Sequence, residues 1–163
     1  MGRDRYEIDI RFETHQRPVS KKWLHRTAKQ ILKVLGWEKA ALSLVLVSDS
    51  RIRGFNRKYF KHDRPTDVIA FSQLEGRPLP KVSLPLLGDV MISVDTVKRQ
   101  APQYGNSFRD ECALYLCHGI LHLMGYDDGT KVGSRRMEMK QNKILKKILE
   151  GSRKNAKSRA KKR

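Results

Sequence analysis

The sequence predicts an α+β fold: a single four-stranded mixed sheet packed with about five helices, with a metal site on a central helix and the turn after it. Three observations carry this reading. Four short runs have the pattern or composition of strands, and longer runs of helical period separate them. One helical run, Cys112 to Met124, is apolar nearly all round and carries His118 and His122 as its polar side chains. The length of 163 residues suits one domain with a proper core.

Taken in order, Tyr6 to Phe12 alternates apolar and polar residues, the mark of a half-buried strand. Pro18 closes the next turn. Trp23, Leu24, Ala28, Ile31, Leu32 and Leu35 then recur at helical spacing from Val19 to Leu35, and Gly36 ends the helix. Leu42 to Val47 is a second strand. Ser48 or Asp49 is placed to cap a short helix through Ile52, Phe55 and Tyr59. Asp67 to Phe71, introduced by Pro65-Thr66, is the third strand, and Gly76 to Pro85, with three prolines, reads as a loop. Leu87 to Ser93 is the fourth strand, and Ser93 to Gln100 begins a helix. Ser107-Phe108-Arg109-Asp110 has the form of a capping box opening the histidine helix. A last amphipathic helix runs from about Val132 to Leu149. Residues 1–150 thus form one domain without internal repeats. Residues 151–163 hold seven Lys or Arg, no acid and no large apolar side chain, and read as a disordered basic tail.

The formal net charge is +18, and setting aside the seven tail cations still leaves +11 on the domain. That excess points to phosphate polyanions or anionic surfaces as partners. Cys112 and Cys117 form no C-x-x-C pair and read as buried, reduced thiols of a cytoplasmic protein. No charged-then-apolar leader opens the chain and no apolar run reaches membrane-spanning length, so neither export nor a membrane partner is expected.

The chemistry concentrates in Cys117-His118-Gly119-Ile120-Leu121-His122-Leu123-Met124-Gly125-Tyr126-Asp127-Asp128. Histidines four apart stand one helical turn apart on one face, so both imidazoles reach one ion. Gly125 is placed to end the helix in a left-handed turn, which lets Asp128 swing under the same point as a third ligand. Asp127 is the competing candidate. Two imidazoles and a carboxylate with a fourth position open describe a catalytic zinc site. The plainer alternatives are core histidines bonded to carbonyls and aspartates serving the turn, but burying two imidazoles without a shared partner costs free energy. Zinc peptidases of the H-E-x-x-H type carry a general-base Glu after the first histidine, where this chain has Gly119, which opposes a metallopeptidase. RNA needs no such base, because its 2′-hydroxyl can attack, although attack by metal-bound water is equally open.

His118-Gly119-Ile120-Leu121-His122-Leu123-Met124-Gly125-Tyr126-Asp127-Asp128 resembles the H-G-x-L-H-L-x-G-Y-D-H signature of the YbeY family. Asn56-Arg57-Lys58-Tyr59, with Asp63-Arg64-Pro65-Thr66-Asp67-Val68-Ile69-Ala70-Phe71, and Leu87-Gly88-Asp89-Val90-Met91-Ile92-Ser93 are similar to two further family blocks. The resemblance implies a bacterial, cytoplasmic, single-strand-specific endoribonuclease that holds one zinc ion through His118, His122 and Asp128. It implies a role in ribosomal RNA maturation, at the 16S 3′ end, and in ribosome quality control, with the small ribosomal subunit as partner. Arg57, Lys58, Tyr59, Lys61 and Arg64 are the RNA-binding candidates, by charge and stacking. Thr66, Asp67 and Asp89 are supporting candidates, Asp89 being expected as a buried carboxylate that needs a partner. Two positions depart from the family pattern: Asp128 replaces its third His, and Phe60 stands where it usually has Arg. A carboxylate ligand shifts preference slightly toward harder ions such as Mn²⁺ and implies a more alkaline optimum. The alternative to the nuclease is a ribosome-associated RNA-binding assembly factor with a structural metal, and behind it the metallopeptidase.

Overall fold

The structure, a computed structural model, describes residues 5–74 and 84–162. Its elements are β1 (Tyr6–Glu13), α1 (Lys21–Val34), β2 (Ala40–Val47), α2 (Asp49–Phe60), β3 (Val68–Ser72), β4 (Leu86–Ser93), α3 (Val94–Gln103), α4 (Phe108–Leu123) and α5 (Lys131–Lys161). Of the expected loop at 76–85, residues 76–83 lie outside the described residues. The strands form one sheet in the order β1-β2-β4-β3, with β1-β2 and β2-β4 parallel and the edge strand β3 antiparallel to β4. The α+β fold, with its mixed four-stranded sheet and five helices, matches the sequence expectation.

Local chemistry sets most helix starts. Ser20, Ser48, Ser93 and Ser107 each sit in extended conformation as N-caps, and each hydroxyl accepts a backbone N–H three residues on. Two apolar layers then form. The larger core lies between the sheet and α1, α4 and α5, around Leu24, Leu44, Val90, Leu116, Ile120 and Ile144. A smaller one, Val47, Ile52, Ile69 and Met91, lies under α2. The sheet thus has one face fully covered and another that α2 covers in part.

α4 is the central element, with Cys112, Leu116, Cys117, Ile120 and Leu121 wholly buried. Gly119 permits its close approach to the sheet, since a Cβ there would stand 2.6 Å from Val90 Cγ1 and 3.1 Å from Val68 Cγ2. Burial pushes both thiols on this helix up to about 12, so they remain neutral small hydrophobes.

Two sequence expectations need correction. Asp89 is exposed, not buried: it lies beside Ser43 and Phe71 on the sheet face that α2 leaves partly open, where water solvates the carboxylate. Residues 151–161, read as a disordered tail, continue α5 as helix. Lys, Arg and Ala are good helix formers, and a preformed helix anchored by Met137, Ile144 and Ile148 removes the cost of nucleation.

Candidate metal centre

The last turn of α4 and the turn after it bring the three ligand candidates together. Gly125 adopts φ +92°, and the helix closes with Tyr126 N–H donating to the Leu121 carbonyl (3.1 Å) and Gly125 N–H to the His122 carbonyl (3.0 Å). This is the paired C-terminal motif that a glycine in the left-handed region makes possible. Asp127 Oδ1 then accepts from Gly129 N–H (2.9 Å), and Thr130 caps α5 through its hydroxyl. With Asp127 committed to the turn backbone, Asp128 reaches the histidines.

Asp128 Oδ2 lies 3.3 Å from His118 Nε2 and 3.7 Å from His122 Nε2, and the two Nε2 atoms are 3.1 Å apart. Donors about 2.0–2.2 Å from a tetrahedral zinc lie roughly 3.3–3.6 Å from one another. The three separations bracket that range, so the donor set fits one ion of this size. His118, His122 and Asp128 are the described residues that form such a group. Both histidines are half-buried and Asp128 is exposed, which leaves one side open toward solvent. Burial, then the neighbouring His118, lowers the pKa of His122 despite the opposing Asp128, and this favours the neutral, ligating imidazole.

Outer contacts fix the ring orientations. Gln141 Oε1 of α5 is 3.1 Å from His118 Nδ1, a contact that suits the tautomer with its proton on Nδ1 and its Nε2 lone pair turned to an ion. The Tyr126 backbone hydrogen-bonds His122. Sequence reasoning missed Gln141. The one signal available was its phase on α5, beside Ile144 and Met137, and nothing in the sequence tied it to a residue 23 positions earlier.

The RNA-binding candidates do not join this cluster. Arg57, Lys58 and Tyr59 lie on α2, and Lys61 caps it in left-handed conformation (φ 61°). All four are exposed, as is Arg64, whose carbonyl accepts from the buried Asn56 side chain. On that face Tyr59 stacks with Phe55 and meets Phe71 edge-on, and Phe60 stacks on Phe71. Val68 and Ala70 of β3 pack toward α4, whereas Ile69 and Phe71 pack toward α2. The edge strand therefore separates the aromatic cluster from the metal centre. Phe55 and Phe71, as parts of the cluster, also went unnoticed in the sequence. The Asp67 carboxylate accepts from Val68 N–H (2.7 Å) and the Thr66 hydroxyl (3.3 Å), and its carbonyl accepts from Ser93 N–H (2.9 Å). Thr66 and Asp67 thus brace the entry to β3.

A sheet-backed helix presenting two imidazoles, followed by a turn presenting a carboxylate, is the architecture of a metal-dependent hydrolase. The comparisons narrow this class. The family model described as Endoribonuclease YbeY matches residues 9–149. An endoribonuclease YbeY of Pelotomaculum thermopropionicum is 44% identical over 75% of this chain and 82% of its own. One from Geobacter metallireducens is 39% identical over 85% and 93%. A solution structure from Thermotoga maritima, 28% identical, superposes with a TM-score of 0.61 over 91% of this chain and 93% of that one. The chain belongs to the YbeY endoribonuclease family.

Proposed function

We propose that the protein is a metal-dependent endoribonuclease that cuts single-stranded RNA in ribosomal RNA maturation, with the 16S 3′ end as its site and ribosome quality control as its wider role. One zinc ion, held by His118, His122 and Asp128, is the cofactor. The observation that carries this reading is the set of ligand-atom separations of 3.1, 3.3 and 3.7 Å, which suits one tetrahedral ion with a position to spare. When bound, the ion supplies Lewis-acid polarisation of a phosphodiester or an acidified water. Gln141 holds His118 in the ligating tautomer, and the Schellman closure at Gly125 holds the turn that carries Asp128. Tyr59, half exposed at 51%, offers a stacking face for an unpaired base, and Lys58 over its ring offers a phosphate contact.

A peptidase reading fails on packing as well as on sequence. Position 119 faces Val90 and Val68 at contact distance, so no general-base side chain fits after His118. Among the described residues no helix is long and apolar enough to cross a membrane. A cytoplasmic location and the small ribosomal subunit as partner follow from the proposed substrate. An assembly factor with a structural metal is the second reading, favoured by Phe60, which stacks on Phe71 and offers no cation to a phosphate.

Substituting His118 and His122 with Ala separates these readings. Loss of cleavage of a single-stranded ribosomal RNA fragment, with far-UV circular dichroism unchanged, is the expected result. Unfolding without the metal supports the structural reading instead.

A further inference from the structure

The positive charge of this protein is segregated. α5 carries twelve Lys or Arg against Glu138 and Glu150, and α1 carries five against no acid. These two helices, which pack against each other, therefore hold fifteen of the eighteen net positive charges. The rest of the chain sums to +3, with residues 49–64 (six Lys or Arg against Asp49 and Asp63) as its most basic segment. Arg53 there is already neutralised by Asp63 (2.9 Å), and Arg51 by Glu13 (3.1 Å).

On α5 the cations are ordered. Arg136, Lys143, Lys147, Lys154 and Lys161 are all exposed and follow one another at spacings of seven, four, seven and seven residues. Such spacings keep side chains on one face of a helix, so the five form a straight stripe about 37 Å long at 1.5 Å per residue. Met137, Ile144 and Ile148 anchor the same helix on a different face. No α5 cation is in an ion pair among the described residues. Like charges one turn apart, such as Lys143 and Lys147, destabilise a helix that has no polyanion to receive them. The stripe also overruns the matched family span, which ends at residue 149, while α5 runs on to Lys161.

We infer that this α5 stripe, flanked by α1, is a docking surface for the phosphate backbone of base-paired RNA, separate from the place where a single strand is cut. Resting on the RNA-nuclease reading for the choice of polyanion, it names a second RNA element that the enzyme grips. The chemistry selects a duplex. α5 contains no aromatic residue, so it offers unpaired bases nothing to stack on, whereas a rigid row of cations suits a regular phosphate ladder. The exposed aromatics lie elsewhere, at Tyr59 (51%), Phe60 (46%) and Tyr104 (70%). A membrane surface requires an apolar face along the whole basic one; α5 exposes Val132 (71%) and Met139 (74%) near Arg136 and Lys143, but residues 151–161, which carry Lys154 and Lys161, contain no large apolar side chain.

The test uses the full chain with two variants, in which Arg136, Lys143, Lys147, Lys154 and Lys161 are all Gln, or the four lysines are all Arg. Affinity is measured over a salt series for a blunt RNA duplex longer than the stripe and for a single strand of the same length. The Gln variant is expected to bind duplex at least about tenfold more weakly near 0.1 M salt, with a log-log salt slope smaller by roughly three to four. Single-strand affinity stays within about threefold of the parent, the Arg variant retains duplex binding, and circular dichroism is unchanged. Unaltered duplex affinity and slope in the Gln variant would overturn the proposal. So would equal losses for both RNAs, or loss confined to binding of anionic phosphatidylserine vesicles. Cleavage is not read, so this failure leaves the nuclease reading intact; duplex binding by a chain that cuts nothing would reject that reading alone.

Discussion

Replacing Gln141 with Leu keeps the side-chain volume of α5 and removes the acceptor 3.1 Å from His118 Nδ1. Without it the imidazole loses its preference for the tautomer that offers Nε2, and the ring is free to turn about χ2. Loss of an outer-shell partner of a ligating histidine typically weakens metal binding ten- to a hundredfold, or about 1.4–2.8 kcal/mol. Gln141 sits at the edge of the core, so the apo fold should lose little. Zinc affinity is read by competition with a chromogenic chelator, and fold stability by urea unfolding of the metal-free protein. Gln141→Glu, which keeps an acceptor, should bind zinc at least as tightly as the parent. A Gln141→Leu affinity within about twofold of the parent would refute the orienting role of α5 in the metal centre.

Gly119→Ala sets a helix-propensity gain of about 1 kcal/mol against a Cβ placed 2.6 Å from the stiff Val90 side chain, where overpacking costs about 1–3 kcal/mol. A net loss of up to about 2 kcal/mol by thermal unfolding is expected; a rise in the midpoint would show that α4 can move off the sheet at no cost. Burial raises the pKa of Asp49, but hydrogen bonds from Arg99, Ser93 and Thr96 outweigh it and hold the carboxyl below the usual range. A depressed folded-state pKa makes its stabilisation complete above about pH 4 and lost as pH falls through the folded value. Asp49→Asn should cost about 1–3 kcal/mol at neutral pH and flatten that acid dependence, as chemical denaturation across the acid range will show. With thiols pushed up to about 12, Cys112 and Cys117 should resist a thiol-reactive dye at pH 8 until the chain unfolds; fast labelling of the native protein would contradict their burial.

The sequence disclosed what local rules govern. The cap at Ser107, the cap offered at Ser48 or Asp49 and found at Ser48, the left-handed Gly125 and the one-turn spacing of His118 and His122 are short-range features that the structure shows. Relations across the chain were hidden. Alternation in a strand tells which residues share a face but not whether a helix covers it, so Asp89 was mistaken for a buried carboxylate. The basic stretch after Glu150 lacks anything to bury, which argues correctly against a core there but leaves open its continuation of an anchored helix. Likewise, the sequence favours Asp128 as the third ligand but leaves Asp127 as a competitor, and the Asp127–Gly129 turn is what commits Asp127 elsewhere.

The most direct test of the account is the zinc content of the native protein and of Asp128→Ala, measured by mass spectrometry, with cleavage of a ribosomal RNA 3′-end fragment followed in parallel. About one zinc per chain is expected in the native protein, with metal and cleavage falling together in the variant. A variant that keeps its full metal complement would show that the third ligand lies elsewhere. Native protein that holds metal yet cuts no RNA would contradict the nuclease itself and favour an assembly factor.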